Sequence, residues 1–165
     1  MLVKKLLEEF DEEIIRLFLQ KNADYYIAKW KVMASSESKI SWNWAAFLFT
    51  ASWMGYRKMY LFAFLYIIIN IATLIPVVGF ILWIFLWVGT GLYGNYLYAK
   101  KTYETLVKLK TEYTSEDDFK KMVVKEGGTS IAGVLIVLLM AFAIYLLLAA
   151  IGLAVTGGYS EYKEF

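Results

Sequence analysis

The chain has 165 residues, enough for one domain, and 60% of them are hydrophobic while only 19% are charged, against about 25% in soluble proteins. Its net charge of +2 is too small to indicate a nucleic-acid partner. The absence of cysteine excludes disulfides and thiol catalysis, and the absence of histidine removes the commonest metal ligand and the commonest general base.

The charged residues are segregated along the chain. None lies between Met59 and Ala99, and none lies between Ile131 and Ser160. A water-soluble core as apolar as this would need more polar surface to cover it. The pattern therefore predicts an all-α integral membrane protein.

Residues 2–19 show the periodicity of an amphipathic helix, with apolar side chains at intervals of three and four residues. Four glutamates and three cations share the other face, which differs from the lysine-rich face of an anionic-lipid binder. Docking onto the chain's own domain or a partner helix, or binding to the membrane surface, would bury the apolar face. A second short helix ends near Met33, and a polar linker covers residues 34–39. Residues 1–39 are predicted to be cytoplasmic.

Residues 42–56 form an apolar run of about fifteen residues that is rich in tryptophan, short of the roughly twenty needed to span hydrocarbon. Continuing this helix into the next apolar block would bury Arg57 and Lys58, at about 2.5–3.5 kcal/mol each. We therefore expect an interfacial or re-entrant helix whose cations face lipid phosphates or water. The predicted lipid-binding and interface-binding residues are Trp42, Trp44, Trp53, Tyr56, Arg57, Lys58 and Tyr60.

Three transmembrane helices are predicted, over residues 59–75, 78–98 and 131–156, with a tight turn at Pro76 between the first two. Small residues in the second span let another helix approach closely, and Asn70 in the first span needs a hydrogen-bond partner in lipid. An interhelical hydrogen bond or a place in a solute path would supply that partner. The predicted packing or polar intramembrane residues are Asn70, Gly89, Thr90, Gly91, Gly94 and Asn95.

The distribution of lysine and arginine predicts the topology. The first 41 residues hold seven of these cations and residues 99–130 hold another seven, whereas the turn after the first span holds none. With three spans, both cation-rich segments lie in the cytoplasm and the C-terminus lies outside. The predicted units are therefore 1–39, the aromatic helix with two spans at 40–101, a cytoplasmic helical segment at 102–130, and the third span with a short external tail at 131–165.

One stretch resembles a known family. The signature consists of Asn43-Trp44-x-Ala46-Phe47, then Trp53, then Tyr56-Arg57-Lys58-Met59-Tyr60, with upstream Asn22-Ala23-Asp24-Tyr25-Tyr26 and downstream Asn95 to Tyr98. It is similar to the signature of small bacterial membrane proteins in the domain-of-unknown-function 2628 family, over about residues 18–101. The resemblance implies a multi-pass protein of the bacterial cytoplasmic membrane and supplies no activity or catalytic residues.

The sequence contains few residues that could support transport, metal binding or catalysis. Transporters usually keep an ionisable side chain within the membrane, and the predicted spans contain none. The acidic clusters lack the spacing of metal loops, so neither a metal nor a cofactor is predicted. We expect a non-enzymatic membrane interaction protein: a scaffold, an accessory subunit or a self-associating module. Its expected partners are the lipid bilayer and a second copy or another membrane protein.

Two other functions stay open. An oligomeric small channel or solute carrier is the alternative, because three spans make a poor pore alone. A membrane enzyme acting on lipid headgroups comes third. Arg57, Lys58 and Tyr60 would lie at phosphate depth, but no nucleophile–base pair accompanies them.

Overall fold

A computed structural model describes residues 1–161, with side-chain exposure described as far as Val155. Within these residues the chain forms helices and no strand, so the all-α prediction is confirmed for them. The last four residues of the predicted external tail lie outside the described part. The helices are α1 (Leu2–Glu9), α2 (Glu12–Leu19), α3 (Ala23–Ser35), α4 (Trp44–Tyr56), α5 (Tyr60–Ile71), α6 (Val78–Glu112), α7 (Glu116–Glu126) and α8 (Ile131–Glu161), with a 3-10 turn at Ala72–Leu74.

Residues 2–19 form two helices, so the prediction of a single amphipathic helix is wrong. The backbone is extended at Phe10, and its ring turns inward to meet Tyr103 edge to face, with 6.3 Å between ring centroids. Asp11 then begins α2, whose first turn carries Glu12 and Glu13, the charge sign that a helix N-terminus favours. The break sends α1 onto α3 and α6, and α2 onto α3 and α7.

We call α1, α2, α3, α7 and the C-terminal part of α6 the polar half. Its core resembles that of a water-soluble protein, because each amphipathic helix turns its apolar face inward. The side chains of Leu6, Phe18, Trp30, Leu106 and Val123 are all completely buried there. The apolar faces of α1 and α2 are thus covered by their own chain.

We call α4, α5, α8 and the N-terminal part of α6 the apolar half. Its helices expose large apolar side chains, and Phe80, Phe85, Leu139 and Phe142 are each about two-thirds exposed. Two helices within the described residues are long and apolar enough to cross a membrane, α6 and residues 131–155 of α8. The predicted first span yields only a shorter apolar helix, Tyr60–Leu74 with its 3-10 turn.

α4 is the joint between the halves, since it packs on α5, α6 and α8. Its backbone is kinked at Thr50, where φ is +39°, so the helix changes direction in the middle. It ends at Tyr56, and the chain turns through Lys58, whose φ is +55°, before α5 begins. After this turn the side chain of Arg57 reaches the end of α2, and that of Lys58 reaches the end of α7.

Two glycines of α6 allow α4 to approach closely. A Cβ added at Gly94 would lie 2.6 Å from the Cβ of Ala46, and one added at Gly91 would lie 3.0 Å from the Cβ of Phe47. Gly89 has no atom within 4 Å of the corresponding position. Gly89 therefore makes no close contact with another helix of this chain.

This difference predicts opposite effects for two matched substitutions. Gly89→Ala should raise stability by up to about 1 kcal/mol, because alanine favours the helix over glycine. Gly94→Ala should lower stability by about 1–3 kcal/mol, because its methyl group would overpack against Ala46. The thermal midpoint in mild detergent, followed by tryptophan fluorescence, checks both. Equal midpoints for the two variants would contradict the packing described above.

Candidate functional site

The candidate site centres on Arg57, which the structure buries. Its side chain is only 2% exposed, whereas Lys58 beside it is partly exposed. Arg57 therefore does not lie on the exposed surface, where its cation was expected to face lipid phosphates or water. The turn after α4 points Arg57 inward, toward the end of α2 and the middle of α6. A buried charge is costly unless other groups compensate for it.

Backbone carbonyl groups at the end of α2 provide most of that compensation. Nη1 of Arg57 donates to the carbonyl of Leu19 at 3.3 Å, and Nη2 donates to the carbonyl of Lys21 at 3.1 Å. A longer contact of 3.5 Å joins Nη1 to the hydroxyl of Tyr98. Arg57 thus binds carbonyl groups left over where α2 ends, at the negative end of the helix dipole.

Aromatic rings provide the remaining compensation for the buried charge of Arg57. The guanidinium carbon lies 4.7 Å from the ring centre of Tyr26, 5.2 Å from that of Tyr98 and 5.8 Å from that of Tyr56. These distances are within the range of cation–π attraction, which strengthens when water is excluded. Within the described residues, no carboxylate forms an ion pair with Arg57. Among the described residues its charge is held by carbonyl groups, the hydroxyl of Tyr98 and ring faces.

Lys58 binds the end of α7 in the same way, through a backbone carbonyl group. Its Nζ donates to the carbonyl of Lys125 at 2.8 Å, and Nζ of Lys101 donates to the carbonyl of Glu126 at 3.2 Å. The side-chain amide of Gln20 donates to the carbonyl of Val124 at 2.8 Å. Three carbonyl groups in the last turn of α7 are therefore bound by side chains from other elements, two of them cationic.

The phenol of Tyr56 lies near two cations. Its pKa is lowered, first by hydrogen bonding to Thr129 and then by the charges of Lys21 and Arg57. Cations thus gather where the polar half meets the apolar half.

A second polar cluster fixes the start of α4. Oδ1 of Asn43 accepts from the backbone N–H of Ala46 at 2.9 Å and so caps the helix. Nδ2 of Asn43 donates to Oδ1 of Asn95 at 2.9 Å, and Nδ2 of Asn95 donates to the hydroxyl of Ser41 at 3.0 Å. Both asparagines are almost completely buried. The backbone N–H of Asn43 donates to the carbonyl of Gly91 at 2.9 Å, which requires the close approach that glycine permits.

The predicted interface aromatics divide into two groups. Trp44 is 65% exposed and Tyr60 is 40% exposed, whereas Trp42 and Tyr56 are partly buried. Trp53 is buried, and its indole N–H donates to the hydroxyl of Tyr26 at 3.4 Å. Only part of this set therefore forms an exposed aromatic surface.

The remaining predicted polar residues bond within their own helices. Asn70 donates from Nδ2 to the carbonyl of Tyr66 at 2.9 Å, and Thr90 donates to the carbonyl of Leu86 at 2.7 Å. The expected interhelical hydrogen bond of Asn70 is thus replaced by one to its own helix. A carbonyl four residues earlier lies within reach of the short amide side chain.

Comparison with known sequences gives one result. The model of a family described as "Protein of unknown function (DUF2628)" matches residues 19–111. The chain belongs to this family. No curated protein and no solved structure matches the chain.

The matched segment of this DUF2628 protein contains Arg57 together with its partners Leu19, Lys21 and Tyr98. It also contains the buried Asn43–Asn95 pair. The segment ends near the end of α6, so α7 and α8 lie outside it. The Arg57 site is thus wholly a feature of the family segment, whereas the bonds from Lys58 and Lys101 to α7 reach beyond it.

Tyr26, Tyr98 and Asn43 were not predicted as site residues, although all three belong to the quoted signature. An asparagine directly before an apolar run is a helix N-cap signal, and that signal identifies Asn43. Nothing local identifies the two tyrosines, because they reach Arg57 from distant helices.

Replacing the buried cation should be more damaging than replacing its neighbour. Arg57→Met leaves the carbonyl groups of Leu19 and Lys21 without their donor, so stability should fall by about 1–3 kcal/mol for the buried Leu19 bond and by less for the part-buried Lys21 bond. Lys58→Met removes one hydrogen bond from a partly exposed amine and should cost about 1 kcal/mol.

Thermal midpoints in mild detergent measure both losses. Limited trypsin digestion adds a local test, since Arg57→Met should speed cleavage after Lys21 and Lys58→Met should leave that cleavage unchanged. Equal losses of stability, or unchanged cleavage in Arg57→Met, would show that Arg57 does not hold the end of α2.

Proposed function

We propose that this DUF2628 protein is a three-span protein of the bacterial cytoplasmic membrane, with spans at 59–75, 78–98 and 131–156. α4 lies in the cytoplasmic interface, the polar half lies in the cytoplasm, and the C-terminus lies outside. The exposed apolar side chains of the apolar half support this arrangement, because lipid is the environment that suits them. The lysines of the polar half support its cytoplasmic side.

The first span is the short one. α5 and its 3-10 turn cover Tyr60–Leu74, about 24 Å at ordinary helical rises, against about 30 Å of hydrocarbon. A local thinning of the bilayer would accommodate the difference at modest cost. Val77, at the tip of the hairpin and 81% exposed, then lies at the outer surface.

Within this membrane, we propose that the protein works as a non-enzymatic interaction module: a scaffold, an accessory subunit or a self-associating unit. The observation that carries this proposal is the exposure of α8. Only 6% of its most apolar stretch is buried, against 28% for α6. α8 packs on α4 and α5 through one face, and Leu139 and Leu146 on another face are 67% and 58% exposed. That free face suits a helix from a second copy or from another membrane protein.

The polar side chains of the apolar half favour this function over a channel. Asn70 donates to its own helix, and Asn95 is completely buried in the cluster with Ser41 and Asn43. Asn95 is therefore not available to line a solute path through a single copy, and Asn70 has one of its N–H groups bound to its own helix.

Single cysteines test the topology cleanly, because the chain has none of its own. Ser36→Cys and Thr114→Cys should react with a membrane-impermeant maleimide only after cells are permeabilised. Val77→Cys and Ser160→Cys should react in intact cells. Labelling of Ser160→Cys but not Val77→Cys would show that the α5–α6 hairpin enters the membrane without crossing it.

If the protein is an interaction module, it should be extracted in mild detergent as a complex. Mass determination of the intact particle measures this. Leu139→Trp with Leu146→Trp should break that complex, since the two residues share one face of α8 at a seven-residue spacing. Leu61→Trp with Ile68→Trp, at the same spacing on exposed positions of α5, is the matched control. A monomer without any co-purifying protein would overturn the proposal.

A further inference from the structure

A cavity of about 330 Å³ lies beside Arg57, between α3, α4 and α8. Aromatic side chains form most of its walls, with Tyr26 on α3 and Trp53 and Tyr56 on α4. Arg57 contributes the charged part of the lining. Small-molecule sites are of this kind, with apolar walls and a few polar groups that orient the ligand.

Arg57 has donor capacity that its own chain leaves unused. A guanidinium carries five N–H groups, and three hydrogen bonds are made, to the carbonyls of Leu19 and Lys21 and to the hydroxyl of Tyr98. Nε is buried and has no hydrogen-bond partner within the described residues. Nε and Nη2 form the side edge of the guanidinium, which pairs with two oxygens of a carboxylate or phosphate.

The opposite wall of the cavity is apolar. Phe49 on α4 lines it and is 61% exposed, and Val134 on α8 lines it and is partly buried. Both residues belong to the apolar half, and Phe49 also forms part of its exposed surface. The cavity therefore joins a buried cation to an apolar surface over a short distance.

We propose that this cavity binds an anionic amphiphile, with the head group against Arg57 and the apolar chain between Phe49 and Val134. The head carries two equivalent oxygens, as a fatty acid carboxylate or a lipid phosphate monoester does. A free inorganic anion would leave the apolar walls unused, and a neutral lipid would offer no anionic oxygen to the unpartnered Nε of Arg57. This site is a property of one chain and goes beyond the proposed interaction function.

Binding is tested on the full chain in a nonionic detergent, by native mass spectrometry and by the shift in thermal midpoint. The probes are dodecanoate, dodecyl phosphate, dodecylphosphocholine and inorganic phosphate. We expect one molecule of dodecanoate or dodecyl phosphate per chain, and at least tenfold weaker binding of the zwitterionic and inorganic probes. Whichever of the first two binds more tightly identifies the source as a fatty acid or a phosphate lipid.

Two variants test the two parts of the site separately. Arg57→Lys keeps the charge and removes the side edge, and it should weaken binding of the anionic probes at least tenfold. Ser52→Phe fills the cavity from α4 while leaving Arg57 in place, so it tests binding in the cavity even if Arg57→Lys fails to fold. Leu48→Phe, on an exposed part of α4 outside the cavity lining, is the matched control and should bind as the original chain does.

Three results would overturn the proposal. They are equal binding of anionic and zwitterionic probes, binding of inorganic phosphate as tight as that of dodecyl phosphate, and unchanged binding in Ser52→Phe.

Discussion

The buried charge of Arg57 is the constraint on which the rest of this structure depends. A guanidinium removed from water must find acceptors or ring faces nearby, and no carboxylate among the described residues pairs with it. Carbonyls from the end of α2 and rings from α3 and α6 gather around it instead. One side chain therefore ties together elements from four places in the chain. It also fixes where the polar half ends and the apolar half begins.

Hydrogen bonds between buried neutral groups fix the start of α4 in a similar way. Asn43 caps the helix and pairs with Asn95, and both amides are buried where an unmade hydrogen bond would be expensive. The backbone of Asn43 reaches the carbonyl of Gly91, and Gly94 makes room for Ala46. α4 is thus fixed to α6 at its first turn and to the polar half at its last turn.

This arrangement leaves the two halves unequal. The polar half has a packed core and several bound helix ends, whereas α8 touches the rest through one face only. The proposed contact surface lies on the exposed face of α8, and the proposed amphiphile cavity lies between α3, α4 and α8. Because α8 packs on its own chain through one face only, its exposed face retains apolar surface for lipid or protein, and the space beside it retains room for a ligand.

Local pattern by itself determined the helical class, the starts of α6 and α8 and family membership, because periodicity, turn residues and the signature around Asn43 and Arg57 act over a few residues. It could not determine that Arg57 points inward, because the carbonyls and rings that receive it come from α2, α3 and α6. It likewise missed the break at Phe10, since an extended residue there gains its stability from Tyr103 on a distant helix. Only the tertiary structure decided these points, because each depends on partners far apart in the chain.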